Sequence, residues 1–368
     1  VEMLEQNLRQ ARDYQDVLDV VRRWCNDLKF KTGVQLLRGA ANGNDIGPAL
    51  SDMAETAIDG LLPALQQEFE QAHGRTPGDG LAIVAFGKLG GRELLPESDL
   101  DLVYVYDNGG GEASDGDKPL TPTVYYIRLC QRLSTAISSQ TGEGRLYEVD
   151  NRLRPAGNSG PIATQLGSFE GYYDLAAGGE AWVWEHMALT RARVTHGEDA
   201  LRARLETAIR KALTQKRDAG TVVTEVARMR RRIARQHPGK SSWDIKYRRG
   251  GLVDIEFIAQ YLQLVHAHDR PTVLHQNTAR ALEQLAEAGY LEDHAAQTLL
   301  RALDLWRRLQ AMLRLTASGV FDEEAAPLGQ KEALVRASEA GSFEELKASM
   351  EDAAAGVRIL FEEIIEGP

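Results

Sequence analysis

Along residues 1–72 the apolar side chains recur at helical spacing. Leu4, Leu8, Ala11, Leu18, Val21 and Cys25 form one stripe, and beyond a turn at Ala41–Gly47 the residues Leu50, Met53, Ala57, Ile58, Leu61, Leu62 and Leu65 form another. Such stripes predict amphipathic helices that pack or connect. His73–Gly80 is dense in turn formers and marks a boundary, after which the period changes. Leu81–Phe86 is an apolar run of strand length, and Asp99–Tyr106 alternates polar with apolar before turning wholly apolar. Asp107–Lys118 reads as a flexible acidic loop. Tyr126, Leu129, Cys130, Leu133 and Ile137 share the core face of a helix that opens at Thr121-Pro122 and ends by Thr141–Gly144. Arg145–Leu153 reads as a further strand. From Asp199 onward the pattern is helical again, with one stripe through Val222, Val226, Met229 and Ile233, and later ones through Ile255–Val265 and Phe343–Ile364. No repeat of fixed period interrupts this order, which argues against a solenoid. The predicted layout is N-terminal helices (residues 1–75), a small sheet domain (76–205) and a larger all-helical domain (206–368), an α+β chain.

Composition narrows the class without naming a chemistry. The 368 residues are 43% hydrophobic and 26% charged, ordinary values for a globular protein. Lys+Arg 43 against Asp+Glu 54 gives a net charge of −11, which disfavours nucleic acid as a general partner. Cys25 and Cys130 are the only cysteines and form no CxxC, so the sequence supports neither a disulfide framework nor a zinc site. No stretch approaches the roughly 20 apolar residues of a membrane span, and a cytoplasmic location is expected. The chain opens at Val1, directly in a helical pattern, as expected of a piece of a longer protein.

The chemistry concentrates in Leu81–Asp107. An apolar strand runs into Gly87-Lys88-Leu89-Gly90-Gly91, and Ser98 then precedes Asp99-Leu100-Asp101-Leu102. Residues two apart on a strand share a face, so Asp99 and Asp101 point the same way. On the later strand Glu148, Asp150, Arg152 and Arg154 share a face. If the two strands are neighbours, Asp150 joins the pair. Three hard oxygen ligands suit Mg²⁺. Two such ions about 3.5–4 Å apart activate an attacking oxygen and stabilise a leaving one in phosphoryl or nucleotidyl transfer. The glycine turn, with Lys88 and Ser98, suits phosphate, and Arg152 and Arg154 would neutralise a triphosphate or a departing pyrophosphate. A P-loop fails because Leu89 follows Gly87-Lys88, and a dinucleotide fingerprint fails because Gly87 lacks a glycine two positions on. An EF-hand loop fails at Val103 and Tyr104. A glycosyltransferase-type DxD remains open, although it would not explain the glycine turn.

Other polar groups carry blander expectations. Arg228, Arg230, Arg231, Arg232 and Arg235 read as a solvated helix face. His266, His268 and Asp269 read as a helix end, and Trp182 and Trp184 as core or groove residues. Asp254 and Glu256 stand at a helix start, where carboxylates complement the dipole.

With these residues assembled, the chain resembles the DNA polymerase β-like nucleotidyltransferases, whose mark is a Gly-Ser-type turn, a DxD and a third carboxylate on a later strand. Glu97-Ser98 stands where that pattern has Gly-Ser. More closely, AFGKLGGREL, SDLDLVYVYD, VDNRLRPAGNSGPIAT, EAWVWEHMALTRARV and WDIKYRRGGLVDIEFIAQYLQLVHA are similar to the glutamine synthetase adenylyltransferase family, over about Leu81–Leu315. Members carry two homologous nucleotidyltransferase halves, and Glu180–Val194 and Asp244–Gln260 are similar to the C-terminal, adenylylating half. By that resemblance residues 1–72 join the halves and Pro368 lies near the natural C-terminus. The resemblance implies transfer of AMP from ATP to a tyrosine of glutamine synthetase, with Asp99, Asp101 and Asp150 holding Mg²⁺. It also implies that Gly87, Lys88, Gly90, Gly91, Ser98, Arg152 and Arg154 face the nucleotide. Glutamine and the PII signal protein are the implied regulators. Removal of AMP by phosphorolysis, or a non-catalytic docking role, are the alternatives.

Overall fold

The computed structural model describes residues 2–239, 241–317, 319 and 321–367. Three helices open the chain: α1 (Glu2–Leu8), α2 (Tyr14–Leu37) and α3 (Gly43–His73). Asp13 caps α2 by accepting from the Asp16 amide, and Asn42 with Asp45 forms a capping box on α3. The expected turn at Ala41–Gly47 is therefore shorter, because this cap starts the helix at Gly43.

The sheet follows. β1 (Gly80–Ala85), the short helix α4 (Gly87–Gly90) and β2 (Leu100–Asp107) precede α5 (Pro122–Ser138) and β3 (Val149–Asp150). Then come β4 (Ala163–Gln165), α6 (Leu166–Tyr173), α7 (Val183–Leu189) and β5 (Arg193–His196). β1 pairs antiparallel with β2 on one side and β5 on the other. The far edge of β2 is shared by two short parallel partners, β3 beside Leu100–Asp101 and β4 beside Tyr104–Tyr106. β1 and β2 are central, which is why both are almost wholly apolar and buried. The Tyr104 and Tyr106 hydroxyls meet Ser134 and Thr123 of α5 at 3.0 and 3.1 Å.

Two local expectations change. The stretch read as a strand over Arg145–Leu153 pairs only at Val149–Asp150. Asn151 ends it, because its side-chain amide donates to the Leu102 carbonyl at 2.8 Å and so occupies β2 in place of a further backbone donor. The glycine turn is a helical turn, α4, whose Gly90 amide donates to Phe86 O at 2.9 Å.

The remaining helices are α8 (Asp199–Leu213), α9 (Ala219–Gln236), α10 (Leu252–His266), α11 (Thr278–Glu287), α12 (Asp293–Thr316), α13 (Leu328–Ser338) and α14 (Phe343–Phe361), followed by a π-helical turn at Glu362–Glu366. α8 lies against β1 and β5, so residue 205 falls inside a helix that still covers the sheet. α3 touches both α5 and α12, and the buried apolar residues of all these layers form one continuous core. No described helix is long and apolar enough to cross a membrane.

Candidate active site

β2 and β3 set the site. Their register places Asp101 opposite Asp150, and Asp99 lies two residues before Asp101 on the approach to β2. One oxygen from each of Asp99, Asp101 and Asp150 lies within 4.8 Å of the others. The donor set is all carboxylate, with Asp99 exposed and Asp101 and Asp150 half-buried, so the residues fit a hard divalent cation. α4 closes one side. Gly87 has φ +53°, and a Cβ there would stand 2.1 Å from Asp101 Oδ2. Only glycine lets the carboxylate and the turn come this close.

The carboxylates differ in electrostatics. Burial raises Asp101 to about 6, helped by the negative charges of Asp99 and Asp150 and opposed by Arg191 and Lys246. Burial also pushes Asp150 upward, but hydrogen bonds from the Arg152 side chain and backbone, with its charge, outweigh it and hold Asp150 below the ordinary carboxylate range. The Arg152 amide donates to Asp150 Oδ1 at 2.8 Å and its Nε to Oδ2 at 2.8 Å.

The other residues singled out in the sequence fall into two groups. Lys88, Gly90 and Gly91 stand on or beside α4 with Gly87. Burial lowers the Lys88 ammonium to about 7, with Arg314 and Lys246 adding to the effect. Ser98 is only 6% exposed, and its hydroxyl serves the turn before β2 by accepting from the Leu95 amide at 3.1 Å and from Arg314 at 3.2 Å. Arg154 braces its own loop, donating to Asn151 O at 2.7 Å and Gly160 O at 3.1 Å, and although its charge helps to lower Asp150 it makes no hydrogen bond to the carboxylates. The strand's end at Asp150 is the reason, since the expected alternation stops there.

Cations that no local spacing connected to the aspartates complete the site. Arg314 near the end of α12 also donates to the Glu97 carbonyl at 3.0 Å, while Glu97 itself holds a left-handed φ of 54°. Beside this turn opens a cavity of about 700 Å³ walled by Glu97, Trp243, Lys246, Tyr247, Arg314 and Phe321. It reaches the turn before β2 through Glu97 and Arg314, and its walls join aromatic rings to ammonium and guanidinium groups. Trp182 is 65% exposed at the start of α7, not in a core. In the basic run, Arg230 is 1% exposed and paired with the fully buried Asp254, while Arg228, Arg231, Arg232 and Arg235 face solvent. His266 ends α10, stacked on Tyr290.

A small mixed sheet, a glycine turn after its first strand and three carboxylates brought together by two parallel neighbours are consistent with an α+β nucleotidyltransferase domain. The family described as glutamate-ammonia ligase adenylyltransferase matches residues 1–208, and the family described as GlnD PII-uridylyltransferase matches residues 223–365. The bifunctional glutamine synthetase adenylyltransferase/adenylyl-removing enzyme of Rhodopseudomonas palustris is 40% identical over 98% of this chain and 36% of its own length. The enzymes of that name from Mesorhizobium japonicum and Rhizobium meliloti are 42% and 41% identical over 94% and 96% of the chain. The chain belongs to the glutamate-ammonia ligase adenylyltransferase family. It spans about 36% of the length of these curated relatives.

Proposed function

We propose that the chain transfers AMP from ATP to a tyrosine hydroxyl of glutamine synthetase, releasing pyrophosphate and lowering the synthetase's activity. The observation that carries this reading is the cluster of Asp99, Asp101 and Asp150 against Gly87, in a chain of this family. These carboxylates would hold Mg²⁺, with room in the donor set for two ions. Bound there, the metal supplies charge neutralisation at the phosphates and lowers the pKa of the attacking hydroxyl.

The protein groups divide the rest of the work. The low affinity of Asp150 for protons makes it a poor base and suits it to being a permanent ligand. Lys88, Lys246 and Arg314 bring positive charge to the triphosphate side, and the 700 Å³ cavity beside them accommodates the nucleoside. Gly87, Gly90 and Gly91 let the chain approach the phosphates closely, Ser98 fixes the turn beneath them, and Arg152 adds charge while it orients Asp150. Arg154 acts by holding the loop that carries Arg152. In the reaction the tyrosine oxygen bonds to the α-phosphorus, the bond to the β-phosphate oxygen breaks, and the hydroxyl proton passes to solvent or a neighbouring carboxylate.

In this scheme residues 76–205 carry the chemistry, residues 1–75 the connection to a preceding half, and residues 206–368 the control. The likeness of 223–365 to a PII-uridylyltransferase supports the PII signal protein as a regulator acting through the helical domain, and glutamine is proposed beside it from the resemblance of the sequence alone. A cytoplasmic location accords with ATP and glutamine synthetase as reactants. The relatives' names also include adenylyl removal, so the direction needs its own test. Adenylylated synthetase incubated with the chain, Mg²⁺ and phosphate should release no ADP, whereas unmodified synthetase with ATP should gain AMP. ADP release without AMP gain would assign the opposite direction.

A further inference from the structure

The carbonyl groups of the glycine turn are gripped one by one. Arg191 Nε donates to Gly87 O at 3.1 Å, and Arg193 donates to Leu89 O and Gly90 O at 3.1 Å each. Asn277 donates to Gly91 O at 3.1 Å while its side-chain oxygen caps α11. The fit leaves no room for a side chain: a Cβ on Gly90 would stand 1.9 Å from Arg191 O.

Arg193 opens β5 and Arg191 just precedes it, and both guanidiniums run on to carboxylates of the helices. The Arg191 guanidinium, with its side chain 7% exposed, donates to Glu256 of α10 at 2.9 Å and pairs with Glu93. Glu93 in turn pairs with Arg307 of α12 and accepts from the Thr278 amide at the start of α11 at 2.7 Å. Arg193 reaches Glu55 of α3 at 2.9 Å. Two guanidiniums, Arg191 and Arg307, face two carboxylates, Glu93 and Glu256, so the buried group is electrically balanced. A planar guanidinium with donors on several edges is the one side chain able to meet Gly87 O, Glu93 and Glu256 together.

We propose that Arg191 and Glu256 are positioning residues that form a strut from α10 to the glycine turn. The strut sets where Gly87 and Lys88 stand relative to Asp101 and so sets the affinity for a nucleoside triphosphate. The inference rests on the nucleotidyltransferase reading of the site. It gives the helical domain a direct route of control. Any shift of α10–α12 against the sheet moves a carbonyl of the very turn whose missing Cβ admits the Asp101 carboxylate.

The test compares MgATP binding by the full chain and by Glu256→Gln, using calorimetry, together with thermal unfolding. Glutamine keeps the shape of Glu256, which is 24% exposed, and leaves Arg191 bonded to Glu93 and Gly87. The expected result is a Kd about tenfold weaker, within the usual range of coupling between sites, with an unchanged unfolding midpoint. In the transfer reaction KM for ATP should rise to match while kcat stays within about twofold. Arg191→Lys, which keeps the charge but cannot span three acceptors, should weaken binding further. Glu351→Gln, which breaks the Arg248 pair elsewhere in the helical domain, should leave binding as it was. Equal MgATP affinity in wild type and Glu256→Gln overturns the strut alone. So does a loss of affinity that only tracks a fall in unfolding midpoint. A wild-type chain that binds no MgATP overturns both the strut and the nucleotidyltransferase reading.

Discussion

Replacing Asp101 with asparagine should stabilise the metal-free protein while destroying its response to Mg²⁺. Burial and the charges of Asp99 and Asp150 hold Asp101 at about 6, against an ordinary 3.8. A folded-state pKa above the unfolded value means that the native chain binds the proton more tightly than the unfolded chain. Below about pH 4 both states are protonated and the group costs nothing. As pH rises through the interval from about 4 to 6, the unfolded chain ionises first, and stability falls. Above about 6 the full cost remains. A difference of about 2 units at 1.36 kcal/mol each sets that cost at about 3 kcal/mol as an upper figure, since water entering the site reduces it. At pH 7.5 in EDTA, Asp101→Asn should therefore unfold a few degrees above wild type. Adding Mg²⁺ should raise the wild-type midpoint, because an ion bound only to the native state stabilises it, and should leave the variant where it was. The assay is thermal unfolding across pH 4–8 with and without Mg²⁺. A variant that is less stable than wild type in EDTA, or that gains as much from Mg²⁺, refutes the assignment of Asp101 to a strained cation site.

Gly87→Ala, which drives a Cβ to 2.1 Å from Asp101 Oδ2 at a left-handed φ, should reduce transfer at least about a hundredfold with the fold intact by circular dichroism; near-normal transfer contradicts the close approach. Burial lowers Lys88 to about 7, so at pH 8 it is largely neutral in the free protein and should take up a proton when a triphosphate binds. Calorimetry in buffers of different ionisation enthalpy should show uptake near one proton at pH 8 and much less at pH 6, and equal uptake at both removes Lys88 from the phosphate site. Arg230→Met should lower stability by about 3–5 kcal/mol by leaving Asp254 buried without its partner, and Arg230→Met with Asp254→Leu should recover part of that; denaturant titration checks both.

Residues 81–107 announced the site because strand chemistry is local. The alternation that puts Asp99 and Asp101 on one face is fixed by the backbone pleat, and Gly87 is read from the same stretch. Asp150 was found by the same rule, although its strand proved to be two residues long; the parallel register that sets it opposite Asp101 is a tertiary result. Beyond Asp150 the strand rule no longer applies, because the Asn151 side chain takes the Leu102 carbonyl; Arg154 spends its donors on Asn151 O and Gly160 O while its charge still reaches Asp150. Lys246, Arg314 and Arg191 were not tied to the aspartates by any local spacing, for a different reason. They reach the site from helices and loops far along the chain from the DxD strand, and nothing in the spacing of those segments records which sheet residue they meet. The basic run in α9 shows the same limit. Helical period alone places Arg230 on a side of the helix, but only the packing of α10 decides that this side is buried and that Asp254 waits there.

The three carboxylates are proposed to direct a nucleotidyl group, not a phosphoryl group, to a protein hydroxyl. Glutamine synthetase incubated with the chain, Mg²⁺ and ATP labelled in either the α- or the γ-phosphate tests it most directly. The expected outcome is label on the synthetase from α-labelled ATP alone, released pyrophosphate in equal amount, and neither with Asp101→Asn. Label from the γ-position, or α-label that persists in Asp101→Asn, would contradict it.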